Sequence, residues 1–242
     1  MSLIVKICGL SEPETLEAAL EAGADMVGLV FFPPSPRNVD LARAAELAAR
    51  ARGRAEIVAL TVDADARLLD AIAREVRPDW LQLHGNEPPE AVAALRETYD
   101  ARVMKAVALA TRADLAKVAP YVSVADRILF DARAPKDATR PGGLGVPFDW
   151  RILEGADPGL PFVLSGGLHA DNLSEALALV RPHGVDVSSG VERTIGVKDA
   201  DMIRAFIRAA RAASSSPRPA PGEREQMPHC ARLQTSRRGW PE

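Results

Sequence analysis

Ile4-Val-Lys-Ile-Cys-Gly9 is an apolar run that brackets a lysine and a cysteine and stops at a glycine. A short apolar run ended by a turn former reads as a buried strand. Side chains in a strand alternate faces, so Ile4, Lys6 and Cys8 share one face and Val5 and Ile7 take the other. A buried cation two positions before a thiol is costly to keep unless something uses it. A thiol reacts only as thiolate, which a nearby ammonium favours. The same run also fits a plain core strand whose Lys6 reaches solvent. Beyond Gly9, Ser11-Glu-Pro-Glu14 reads as an N-cap, an early proline and an acidic first turn. The helix it opens carries Leu16, Ala19 and Leu20 on one face and stops at Gly23.

The strand-then-helix pattern recurs. Strand-like Met26–Val30 precedes helix-like Leu41–Arg52, Ile57–Thr61 precedes Ala66–Arg74, and Trp80–His84 precedes Glu90–Glu97. Arg102–Val107 precedes Ala113–Val118, and Arg127–Asp131 precedes a long loop and a short segment at Phe148–Leu153. Pro161–Leu164 precedes Asn172–Val180, and Gly184–Val187 precedes Ala200–Ala213. Eight such units predict one α/β domain, a closed (β/α)8 or TIM barrel. A doubly wound open sheet is the rival, and its glycine fingerprint after the first strand is absent.

The chain has 242 residues, a length at which α/β barrels commonly form one unit. A hydrophobic share of 47% supplies a core, and 26% charged residues is ordinary for a soluble protein. A net charge of −3 argues against nucleic acid as a partner. No apolar run nears the ~18 residues of a membrane span, and no basic-then-apolar leader opens the chain. The two cysteines, Cys8 and Cys230, make no disulfide framework and suggest a reducing, cytoplasmic setting. Motifs for zinc, nucleotide phosphates or dinucleotides are missing, so no metal and no cofactor are expected. From Ser214 the composition turns to Pro, Ser and Arg, with five of the 19 prolines and no periodicity. Residues 1–213 are therefore expected to form the catalytic barrel, and residues 214–242 a flexible, disordered tail.

In a barrel, the strand ends and the loops after them face one mouth, where active sites sit. Cys8 ends the first strand, Arg37 follows the second, Gln82 and His84 end the fourth, and Asp131 ends the sixth. Ser165-Gly-Gly167 ends the seventh, and Asp186-Val-Ser-Ser-Gly190 the eighth. Glycines let backbone N–H groups approach an anion, and serine hydroxyls add donors. Gly166, Gly167, Ser188, Ser189 and Gly190 are thus candidate phosphate ligands, although a tight turn would explain either loop alone. A thiol and a carboxyl on one mouth suit a base and an acid. For that, the Cys8 pKa must fall from about 8.5, which Lys6 would assist. Asp131 could equally anchor a loop, and His84 could be a barrel-wall residue. Arg37 could be a surface charge, or could hold a carboxylate in its planar fork.

Taken together, Lys6-Ile-Cys-Gly9, Ser35-Pro-Arg37, Gln82-Leu-His-Gly85, Asp131, Gly142-Gly-Leu-Gly145 before Phe148-Asp-Trp150, Ser165-Gly-Gly-Leu168 with Asn172, and Asp186-Val-Ser-Ser-Gly-Val-Glu192 resemble the phosphoribosylanthranilate isomerases of tryptophan biosynthesis. The resemblance implies a cofactor-free Amadori rearrangement of N-(5-phosphoribosyl)anthranilate to 1-(2-carboxyphenylamino)-1-deoxyribulose 5-phosphate. It implies Cys8 as the base at C2′, Asp131 as the acid at the furanose oxygen, and Arg37 on the anthranilate carboxylate. Asp186 falls near the sugar, His84 beside the substrate, and the glycine-serine loops on the phosphate. Leu144 departs from the family's usual Gly-Gly-Thr-Gly and loses a hydroxyl. The implied partner is a phosphosugar, and the implied particle a monomer or homodimer. Rival barrels fit less well. A metal-dependent epimerase needs histidines and carboxylates clustered at strand ends, and an indoleglycerol-phosphate synthase uses lysine–glutamate pairs. A phosphate-sensing barrel without catalysis has no need of both Cys8 and Asp131.

Overall fold

The computed structural model describes residues 2–135, 138, 140–143 and 148–215. Strands and helices alternate through β1 (Ile4–Cys8), α1 (Pro13–Glu21), β2 (Met26–Phe31), α2 (Leu41–Ala51), β3 (Glu56–Thr61), α3 (Ala66–Glu75), β4 (Trp80–Leu83), α4 (Pro89–Thr98) and β5 (Arg102–Leu109). A 3-10 helix (Arg112–Tyr121), β6 (Arg127–Ala132) and a second 3-10 helix (Trp150–Leu153) follow. The chain continues through β7 (Phe162–Leu164), α5 (Leu173–Leu179), β8 (Gly184–Val187), a 3-10 turn (Ser189–Val191), β9 (Glu192–Thr194), β10 (Val197–Lys198) and α6 (Ala200–Ser215). β1 to β8 pair in sequence order, all parallel, and β8 pairs back onto β1, so the sheet closes into a barrel.

Alternation along β1 sorts its side chains as its pattern predicts. Ile4 packs inside the barrel with Met26, Val58, Trp80, Met104, Leu129 and Val163. Val5 and Ile7 face outward into the shell that Leu16, Leu47 and Phe206 of the helices complete. Trp80 fills the N-terminal end of the barrel between the guanidinium carbons of Arg102 and Arg127, 4.3 and 4.5 Å from its ring centroid. The first N–H groups of a parallel strand need acceptors, and the same device serves four times. The residue ahead of each even strand accepts from the odd strand before it. Asp25 takes Val5, Asp79 takes Ile57, Asp126 takes Val103, and His183 takes Phe162, at 2.7, 2.7, 2.8 and 3.3 Å. α6 returns to the start of the chain, where Arg211 donates to the carbonyls of Leu3 and Gly23 at 2.5 and 2.7 Å.

Several local expectations change. Ser11 does not cap α1: the N-cap position is Glu12, without a side-chain bond, and Pro13 begins the helix with its fixed φ. The expected fifth helix is a 3-10 helix. Pro120 lies inside it near its end, and Asp114 reaches back to the Thr111 N–H at 2.9 Å. The weak segment before β7 is four residues of 3-10 helix, begun by Asp149 accepting from Arg151 at 3.1 Å. α6 runs through Ser214 and Ser215, past the expected boundary at residue 213. The remainder of the expected tail, and Leu144, lie outside the described residues. No helix among the described residues is long and apolar enough to cross a membrane.

Candidate active site

A cavity opens at the C-terminal ends of the strands. Cys8, Arg37, His84, Asp131, Asp186, Gly166, Gly167, Ser188 and Ser189 all line it. Gly190 does not. It packs on the Leu168 carbonyl so closely that a Cβ would collide with the oxygen, so its lack of a side chain serves loop packing. Strand alternation places the inward set of β1 beneath the cavity floor. Lys6 and Asp186 are Cα partners on β1 and β8, and Lys6 Nζ donates to Asp186 Oδ1 at 2.8 Å, with both side chains buried. Ser165 Oγ donates to the other Asp186 oxygen at 3.1 Å, so each oxygen of this carboxylate has a partner.

Cys8 ends β1 over that pair, and Gly28 on β2 makes room for it. A Cβ at Gly28 would stand 2.9 Å from the sulfur and 3.2 Å from Lys6 Nζ. Burial pushes the Cys8 thiol up, while Lys6 pulls the opposite way and Asp186 works against Lys6. The net shift is upward. The expected lowering by Lys6 is present but smaller than the effect of burial, because Asp186 already neutralises the ammonium. Burial opposes the charge on Lys6, yet Asp186 and Cys8 outweigh it and hold its pKa above the ordinary value.

Asp131 sits among donors. Its Oδ1 accepts the Ala132 N–H at 2.8 Å, and Oδ2 lies 3.3 Å from His84 Nε2. Gln82 Nε2 lies 3.1 Å from His84 Nδ1. An amide donor to Nδ1 would place the imidazole proton on Nε2, the nitrogen that faces Asp131. Two glycines flank this carboxyl. A Cβ at Gly166 would stand 3.2 Å from Oδ1, and a Cβ at Gly142 would overlap Oδ2 and stand 2.8 Å from His84 Nε2. Gly142→Ala is therefore expected to displace the loop or the carboxyl and cut turnover by roughly 10 to 10²-fold, with the melting point nearly unchanged. Steady-state rates beside a thermal melt check it, and a large loss of stability would assign Gly142 to packing instead.

Arg37 is buried and bidentate, but its partner is internal. Nε and Nη2 donate to the two oxygens of Glu192 at 2.6 and 2.9 Å, and Nη2 also donates to the Gly143 carbonyl at 3.1 Å. That edge of the fork is thus occupied, and the group meets the cavity elsewhere. Burial works against the Glu192 charge, yet Arg37 and Lys198 hold its pKa down at about 2. Gly166 and Gly167 follow one another at φ 85° and 68°, a left-handed pair that suits glycine. Asn172 fixes their loop by donating to the Gly167 carbonyl at 2.9 Å.

Sequence reasoning missed the bracing roles of Glu192, Lys198 and Ser165, and it missed Arg140. Arg140 also lines the cavity, with its Nε buried and unbonded. The local pattern held no signal for Lys198, which reads as one more charge in a polar turn.

A family model described as N-(5'phosphoribosyl)anthranilate (PRA) isomerase matches residues 5–209. The chain is 99% identical over 223 residues to the N-(5'-phosphoribosyl)anthranilate isomerase of Afipia carboxidovorans, covering 92% of this chain and 95% of that one. The solved phosphoribosyl anthranilate isomerase of Thermotoga maritima matches with a TM-score of 0.78 at 36% identity, over 87% of this chain and 99% of its own. Another solved isomerase, TM-score 0.75 at 35% identity over 87% and 99%, is in complex with reduced 1-(o-carboxyphenylamino)-1-deoxyribulose 5-phosphate. A match that runs from β1 into α6 takes in every strand whose end lines the cavity, and the chain belongs to the phosphoribosylanthranilate isomerase family.

Proposed function

We propose that Cys8 and Asp131 carry the two proton transfers by which this chain isomerises N-(5-phosphoribosyl)anthranilate in tryptophan biosynthesis. The observation that carries this reading is that both groups line one cavity together with Arg37 and the two glycine-serine loops. In the barrel order, β7 and β8 lie between the acid's strand and the base's strand. A phosphate held by Gly166, Gly167, Ser188 and Ser189 on that arc places the ribose between Cys8 and Asp131. Arg37, beyond β1, then meets the carboxylate of the aromatic ring.

Asp131 gives its proton to the furanose ring oxygen as the C1′–O bond opens, and the anthranilate nitrogen supplies the electrons. Cys8, as thiolate, takes the C2′ proton from the resulting iminium. The enol-amine then becomes the ketone of 1-(2-carboxyphenylamino)-1-deoxyribulose 5-phosphate. Both groups exchange protons with solvent to reset. Phosphate and carboxylate at the two ends of the substrate supply orientation by remote binding. Asp186, tied to Lys6 and Ser165, serves as a charged floor beneath the sugar, and His84 aims a donor at Asp131.

Loss of phosphoribosylanthranilate fluorescence on adding the purified chain tests the activity. A chain that leaves the signal unchanged overturns the reading. We take residues 1–213 as the catalytic unit, extended by the end of α6. A chain ended after Ser215 is expected to keep turnover within about twofold of the full chain. A collapse of its activity would assign the remaining residues a part in the site. The setting inferred is cytoplasmic, and the particle a monomer or homodimer, which light scattering distinguishes.

A further inference from the structure

Lys198 touches none of the reacting groups' polar atoms, yet it joins the two ends of the cavity. It closes the β9–β10 hairpin, and its side chain is 1% exposed. Its ammonium donates to the Ser188 carbonyl at 2.8 Å, to the Ser188 hydroxyl at 3.1 Å, and to Glu192 Oε1 at 2.8 Å. An ammonium has three protons, and all three are engaged. Lys198 therefore acts on a substrate only through its partners. One partner, Ser188, belongs to the glycine-serine loop after β8. The other, Glu192, takes both Nε and Nη2 of Arg37 and also the Gly196 N–H at 3.0 Å. A buried ammonium is a costly way to fill space. A charge that fixes two loops at once gives it a use.

We propose that Lys198 is a positioning residue that couples the grip on the substrate's phosphate, through Ser188, to the grip on its carboxylate, through Glu192 and Arg37. The proposal rests on the reading of those two subsites given above. The charged groups that bear on Lys198 are Glu192 of β9, Arg37 of the loop after β2, and Cys8 of β1. Burial, helped by Arg37, lowers its pKa to about 8 against the pull of Glu192 and Cys8. Lys198 is thus charged at neutral pH and loses its proton as pH rises through about 8, whereas Glu192 stays ionised throughout. The sign is distinctive: substrate affinity weakens with rising pH, while the thiolate fraction of Cys8 grows.

The experiment measures KM and kcat for phosphoribosylanthranilate from about pH 7 to about pH 9.5, with inorganic phosphate and anthranilate as competing probes. In the unmodified chain KM is expected to rise by about tenfold around pH 8, with no fall in kcat over the same interval. Lys198→Met is expected to show the raised KM already at neutral pH, with inhibition by phosphate and by anthranilate both weakened by about tenfold. Lys198→Arg, charged throughout, is expected to remove the alkaline rise. A folded Lys198→Met chain with unchanged KM and unchanged inhibition by both probes overturns the coupling. So does a flat KM in the unmodified chain, or an alkaline rise kept by Lys198→Arg, and these two decide if the methionine variant does not fold. The subsite reading fails separately: it is lost if phosphate does not compete with substrate in the unmodified chain.

Discussion

Cys8→Ala is expected to lower turnover by at least ~10²-fold in a chain that keeps its fold. The sulfur is buried and packs with Val30 and Leu60, so removing it leaves only a small void, at a cost of about 1 kcal/mol. In a domain of this size that lowers the melting point by about 2 to 4 °C. The loss of rate therefore cannot come from unfolding. Lys6 does not take over as base, because Asp186 holds its ammonium at 2.8 Å and keeps its pKa above the ordinary value. The raised thiol has a definite consequence: few thiolates exist at neutral pH, and each is a stronger base than an ordinary one. In the unmodified chain kcat should climb with pH as that population grows. A folded Cys8→Ala chain with turnover within about threefold of the unmodified one would remove the thiol from its role.

Asp131→Asn is the second large effect, again a loss of at least ~10²-fold, and it is expected in kcat with KM changed by only a few-fold. Asparagine keeps the shape and still accepts the Ala132 N–H through its carbonyl oxygen, as Oδ1 does at 2.8 Å. It has no proton to deliver to a ring oxygen. Arg37 and the glycine-serine loops are untouched, so substrate should bind nearly as before. Titration with reduced 1-(o-carboxyphenylamino)-1-deoxyribulose 5-phosphate, the compound bound in the solved relative, separates binding from chemistry. Weakened binding with kcat preserved would make Asp131 a binding group and leave the acid to be found elsewhere.

The barrel is legible in the chain because parallel strands, buried on both faces, read as short continuous apolar runs such as Met26–Val30 and Ile57–Thr61. The strand-end residues are legible for a related reason. Cys8, His84 and Asp131 break apolar runs at the point where the chain must leave the barrel. What stays hidden is pairing. Nothing local says that Lys6 meets Asp186 across 180 positions, or that Arg37 spends its fork on Glu192 across 155. Lys198 in a polar hairpin has the pattern of a solvated charge, and only the fold of β9–β10 onto the cavity buries it. Gly190 adds another case: its contact with the Leu168 carbonyl depends on a loop 22 residues earlier, which no local pattern reveals. The fifth helix forms as a 3-10 helix over Arg112–Tyr121, a difference that apolar periodicity does not reveal.

The seam between β1 and β8 has a consequence for how the protein is made. At a synthesis rate of about 5–20 residues per second, the first strand leaves the ribosome about 10 to 40 s before the last one. During that interval Lys6 lacks Asp186, its partner in the finished barrel, and the first and last staves have not met. A nascent chain short of Gly184–Val187 is expected to be inactive, whatever else has folded, and activity to arrive in one step as the final strand and α6 lock onto the beginning of the chain.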